Sequence, residues 1–184
     1  MRIIFIVCFV LLASSTLQAQ NNKPKFSSLL QVGLVDGQSG PAATIQSING
    51  VRYQEWSAGI GVGLDYYHTR TVPLFLDVRR NIFKSEKTPF LYLNCGYNFT
   101  WLTEEQKGYS YSESKGGLYY DAGIGYAVPV LKQSSLFFTA GYSIKKITTS
   151  SGGRPIDIWS SYIPPFYQAE YSLSRISVKA GLRF

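Results

Sequence analysis

The chain of 184 residues has one histidine, His68, and two cysteines, so the side chains most often used for nucleophilic or metal chemistry are scarce. Asp65 stands three residues before His68 and serines populate the neighbouring hydrophilic segments. Histidine, serine and an acid form the set that activates a hydroxyl for acyl transfer. Here nothing in the spacing fixes their geometry and no hydrolase motif surrounds them, so catalysis is not expected. Cys8 lies in an apolar run without the small residues that precede a lipid-modified cysteine. Cys95 alternates with Leu93 and Tyr97 and reads as a small apolar side chain. With no cysteine or histidine cluster, neither a metal nor any other cofactor is expected.

The remaining chemistry is charge. Asp65, Asp77, Arg79, Asp121, Lys145, Arg175 and Lys179 all occupy the polar parity of alternating segments, which places them on one face of a sheet. Counting down each segment from its outer loop puts Asp65, Asp77, Asp121 and Lys145 at upper levels, Arg79 and Arg175 near the middle, and Lys179 below. A buried ion left alone costs several kcal/mol. The expectation is therefore a network of carboxylates and cations, with Asp77 and Arg79 as one pair.

The elements that must carry these charges are strands. Alternation covers residues 26–34, 42–52, 57–67, 73–83, 90–101, 117–128, 135–147 and 169–184, each near the roughly 9–11 residues that a tilted strand needs to cross a bilayer. In the third, Ile60, Val62, Leu64 and Tyr66 alternate with Gly59, Gly61, Gly63 and Asp65. Glycines at period two inside a strand do not lead into a helix, which excludes a phosphate-binding loop; they make room inside a narrow barrel. The second segment has the weakest pattern. Asn49-Gly50 offers a tight turn there, but a strand continuing to a turn at 53–56 lets the next segment run at full length. Connections after the second, fourth and sixth strands are short, and those at 102–116 and 148–168 are long.

Residues 1–19, with Arg2 ahead of an apolar run at 3–12, read as a cleaved signal peptide, leaving 20–184 as one barrel domain. Only 16% of residues are charged and 15% are aromatic, against roughly 25% charged in soluble domains. No apolar run after residue 20 suffices for a membrane helix, so a membrane crossing would have to use strands. A soluble barrel has the same period with its faces reversed. The polar face here is glycine, serine, asparagine and tyrosine with a few charges, which is the filling of a small interior. The apolar faces end in aromatics such as Tyr66, Trp101, Tyr120 and Phe184, as at a lipid headgroup belt.

The final strand, with Ile176, Val178, Ala180, Leu182 and Phe184 on one face, resembles the terminal strand of bacterial outer-membrane barrels, in which it serves as the assembly signal. The whole pattern is similar to the small eight-stranded barrels of the OmpA or OmpX kind. That resemblance implies an all-β fold, an eight-stranded antiparallel up-and-down transmembrane β-barrel in the cell outer membrane, with short turns inside and long loops outside. It implies outer-membrane lipids, lipopolysaccharide and the assembly machinery as partners. No nucleic acid is expected despite the formal charge of +7, because no basic stripe or known module is present. With eight strands the lumen is just filled by side chains, so no open pore is expected. Contact residues are sought in the outer loops, at Tyr109, Tyr111, Trp159, Tyr162, Phe166 and Tyr167. The function expected is a structural or surface-interaction role. The alternatives are a lipid A-modifying enzyme or an accessory subunit of an envelope transport or secretion complex; no extracellular or envelope partner is named by the sequence.

Overall fold

The computed structural model describes residues 23–85, 87–101, 111–131, 134–152 and 167–184. The expected signal peptide lies outside them. Eight strands follow in order: β1 (Lys25–Gly37), β2 (Ala42–Tyr53), β3 (Trp56–Asp65), β4 (Thr71–Asn81), β5 (Thr88–Thr100), β6 (Tyr111–Leu131), β7 (Ser134–Gly152) and β8 (Tyr167–Arg183). Each pairs antiparallel with the next, and β8 returns to β1, closing an up-and-down barrel. The amides of Ser28 and Phe184 each donate to the other's carbonyl, at 3.2 and 2.8 Å, at the seam. The turn after β2 falls at Gln54 and Glu55, with Gln54 at φ 55°, so Asn49 and Gly50 stay within the strand. The weak pattern of β2 has a local cause. Its outward Asn49 accepts from Ser28 Oγ at 2.8 Å and donates to Ser47 Oγ at 3.5 Å, so these polar groups satisfy one another on the outer face.

Register gives the barrel its dimensions. The paired path Ser27, Gly50, Gly59, Asp77, Asn94, Asp121, Ser143, Arg175 closes on β1 at Gly37, ten residues beyond its start. A shear of ten over eight strands corresponds to a tilt of about 40° and a backbone radius of about 8 Å. At that tilt the 10 residues of β3 and the 11 of β4 climb about 25 Å, the height of an outer-membrane apolar band. The 21 residues of β6 climb about twice as far.

The extra length lies at the loop end. Residues 111–116 of β6 pair with 147–152 of β7, and 167–174 of β8 continue on the other side of β7. The expected loops at 102–116 and 148–168 thus give way partly to strand. Threonine and tyrosine suit a pleated backbone, but apolar alternation marks a strand only where one face is apolar. Beyond the last alternating residues the pairing continues without the pattern.

Both faces of the wall follow from the sequence period. Ile60, Leu76, Leu93, Ile124, Phe138 and Ile176 point outward and are exposed, whereas Phe75, Phe90, Tyr92, Tyr119 and Phe137 point inward and are buried. Inward glycines set the clearance for these rings. A Cβ at Gly61 would run into the Phe75 ring, one at Gly125 into the Phe90 ring, and one at Gly141 into the Tyr92 hydroxyl. Large side chains from one strand thus occupy the space left by glycine on another.

Candidate functional site

The interior is layered. An apolar cluster of Leu29, Ile48, Phe75, Phe90 and Phe137 with the rings of Tyr92 and Tyr119 fills the half nearer the short turns. A smaller one of Val35, Tyr67, Ile147 and Leu173 fills the loop end. Between and among them stand the seven charges singled out above, all pointing inward and each at most 5% exposed.

Asp65 serves two cations. Arg175 Nη1 donates to its Oδ2 at 2.5 Å and Lys145 Nζ lies 3.5 Å from Oδ1. Arg175 Nη2 also donates to Ser143 Oγ at 2.8 Å, and its guanidinium stacks 5.1 Å from the Tyr67 ring. Lys145 donates to the carbonyls of Tyr67 and Thr69, both at 2.9 Å, and the Tyr67 hydroxyl accepts the Ser39 amide at 2.9 Å. This cluster therefore ties the β1–β2 and β3–β4 connections to the wall at β7 and β8.

Asp121 pairs with Lys179 and accepts from Tyr92 at 2.9 Å, Ser177 at 3.2 Å and Tyr119 at 3.2 Å. Asp77 takes Arg79 Nε at 3.0 Å on each oxygen. With its amide turned so that Nδ2 faces Asp77, Asn94 donates to Asp77 Oδ2 at 2.7 Å. Gln31 and Gln46 bridge the clusters: Gln31 donates to Gln46 at 2.5 Å and Gln46 to the Tyr119 hydroxyl at 3.0 Å. Four cations meet three carboxylates because Asp65 is shared.

Two heights in the sequence reading need correction. Asp77 lies beside a cavity near the short turns, lined also by Ser27, Gly50, Arg79 and Arg183, and not at the upper level of Asp65. Arg175 rises to meet Asp65. Counting along strands ignores the shear, which lifts β8 relative to β4 as the paired path winds round the barrel. The polar partners Gln31, Gln46, Tyr92, Asn94, Tyr119, Ser143 and Ser177 were not singled out. Their inward parity was the available signal.

His68 sits in the β3–β4 connection at φ 60°, exposed, with its ring centroid 5.5 Å from that of Tyr171. Asp65 turns away from it into the lumen. Of the expected loop contacts, Tyr109, Trp159, Tyr162 and Phe166 lie outside the described residues. Tyr111 and Tyr167 belong to paired strand rather than loop, opposite Gly152 and Ser151. Ile176, Val178, Leu182 and Phe184 are exposed on the outer wall, with Ala180 among them.

No protein-family model matches the sequence, and no curated protein matches it. Among solved structures, the chain is similar to a major outer membrane protein from Thermus thermophilus, at 12% identity and a TM-score of 0.50, covering 87% of this chain and 100% of that one. The fold is that of a small outer-membrane β-barrel. The N-terminal β-barrel domain of Pseudomonas aeruginosa OprF aligns at 9% identity and TM-score 0.44, over 88% of this chain and 100% of that one. AlkL, solved in lipid bilayers, aligns at 12% and 0.48, over 91% and 93%. At these identities the likeness is one of fold, and the barrel's own wall and interior have to carry any further reading.

Proposed function

We propose that this barrel is an integral protein of the cell outer membrane, closed by its interior ion pairs, with a structural or surface-interaction role carried by its loop end. The observation that carries the reading is its inside-out chemistry. Large apolar side chains cover the outer wall for about 25 Å, while paired charges occupy the lumen. In water that arrangement would expose the whole apolar band and bury ions at a cost of several kcal/mol each; in a bilayer the band is solvated and the lumen is the one place left for charge.

The role is non-enzymatic in this reading. The carboxylate nearest His68 in sequence is held by Arg175 and Lys145, which supports a solvated loop histidine. At the outer rim Arg70 lies 5.5 Å from the Tyr66 ring and 5.7 Å from Trp101, a cation held at headgroup level where lipopolysaccharide phosphates are its natural counter-ions. The outward face of β8 would present the assembly signal to the insertion machinery. Planar-bilayer recording of the purified barrel tests the closed lumen: flat current is expected, and steady unitary conductance would contradict it. Lipid A profiles unchanged by His68→Ala are expected, and an altered profile would revive the enzymatic alternative.

A further inference from the structure

The end of the barrel with the short turns is basic. Lys25, Arg52, Arg80, Lys84, Lys87 and Arg183 gather there, against Glu55 among the described acidic residues. Two of these cations face a shared space. A cleft of about 330 Å³ opens between the β2–β3 and β4–β5 turns, lined by Arg52, Gln54, Glu55, Asn81, Phe83 and Lys84. Glu55 lies 4.0 Å from Lys84 Nζ, whose side chain is almost fully exposed, so it offsets one cation only weakly. Among the described residues, Arg52 Nε reaches the Gln54 carbonyl alone, at 3.5 Å.

Apolar groups frame the same place. Ile82 and Phe83 are exposed at the lip of the cleft, and next to it Arg80 stacks 5.1 Å from the exposed Trp56 ring. A cleft whose described residues set two cations against one carboxylate, beside outward aromatics, matches a molecule with an anionic head and acyl chains. The aromatics sit where chains begin and the cations where a phosphate ends.

We infer that this cleft is a binding site for the phosphodiester headgroup of an anionic phospholipid in the leaflet facing the short turns. Arg52 and Lys84 hold the phosphate, and Phe83 and Trp56 lie against the upper acyl carbons. The inference rests on the membrane reading above and adds to it a site and a lipid class. A neutral phosphatidylcholine head carries its own compensating cation, so the cleft discriminates against it.

The test is native mass spectrometry of the folded, detergent-extracted protein exposed to equal amounts of phosphatidylglycerol and phosphatidylcholine with identical chains. Wild type is expected to retain phosphatidylglycerol preferentially, by about fivefold for each basic residue engaged. R52Q/K84Q should lose that preference, while K115Q/K146Q at the opposite rim should keep it. Equal retention of the two lipids by wild type, or an undiminished preference in R52Q/K84Q, would overturn the site. An equal loss in K115Q/K146Q would reduce it to bulk charge. Displacement of phosphatidylglycerol by inorganic phosphate at equal concentration would make it a free-anion site instead. Each sample is first run unboiled and boiled on a gel. A folded barrel without lipid preference sinks only this site, whereas absence of any folded form sinks the membrane reading itself.

Discussion

The tightest constraint at the level of single residues is the satisfaction of buried ions. Asp121 neutralises Lys179 and accepts three hydroxyl hydrogen bonds, so removing its charge strands an ammonium in a dry lumen. Asp121→Asn is expected to lower stability by about 3–5 kcal/mol, read as a shifted denaturant midpoint for unfolding from lipid vesicles. The double replacement Asp121→Ala with Lys179→Met should recover much of that loss, because it removes both charges. If the double variant is as weak as the sum of its parts, the two residues are not coupled. Steric clearance gives a second case. At Gly125 a side chain would run into Phe90, so Gly125→Val should cost at least about 1–3 kcal/mol. Phe90→Ala in the same chain should relieve part of the strain, and purely additive losses would contradict that packing.

Each strand acts through which face it shows to which phase. Leu93 lies outward on β5, midway between its ends and half exposed. In a lipid-facing wall Leu93→Lys should destabilise by about 2–4 kcal/mol, whereas on a water-facing wall it would be neutral or mildly stabilising. The sign of that one change distinguishes the two environments. The same alternation explains how much was legible beforehand. All eight strands, their inward and outward residues and the seven inward charges could be read from period two, because one face is apolar and the other packs the interior; the antiparallel order came with the resemblance to small eight-stranded barrels. Two things could not be read. The strand ends at Tyr111 and Gly152 lost their signal because the sequence there no longer alternates apolar with polar residues. Which ions meet depended on the shear, a property of closure that no single strand encodes, so Arg175 pairs with Asp65 across a chain separation that parity alone cannot register.

On the scale of the whole molecule, the wall is uneven. The β3–β4 side is just tall enough to cross an apolar band, while β6, β7 and β8 project well past it at the loop end, offering a raised sheet to whatever lies outside. At the opposite end the rim is basic. Limited proteolysis of the folded protein in vesicles is therefore expected to leave β3 and β4 intact; early cleavage inside either strand would be inconsistent with the tight wall there. The central claim is that the apolar face is outside and in lipid. It is tested most directly by fractionating cells and comparing unboiled with boiled samples on a gel. The inside-out barrel predicts a protein in the outer-membrane fraction whose unboiled form migrates at a different position from the boiled one. A soluble periplasmic protein with a single mobility would contradict it.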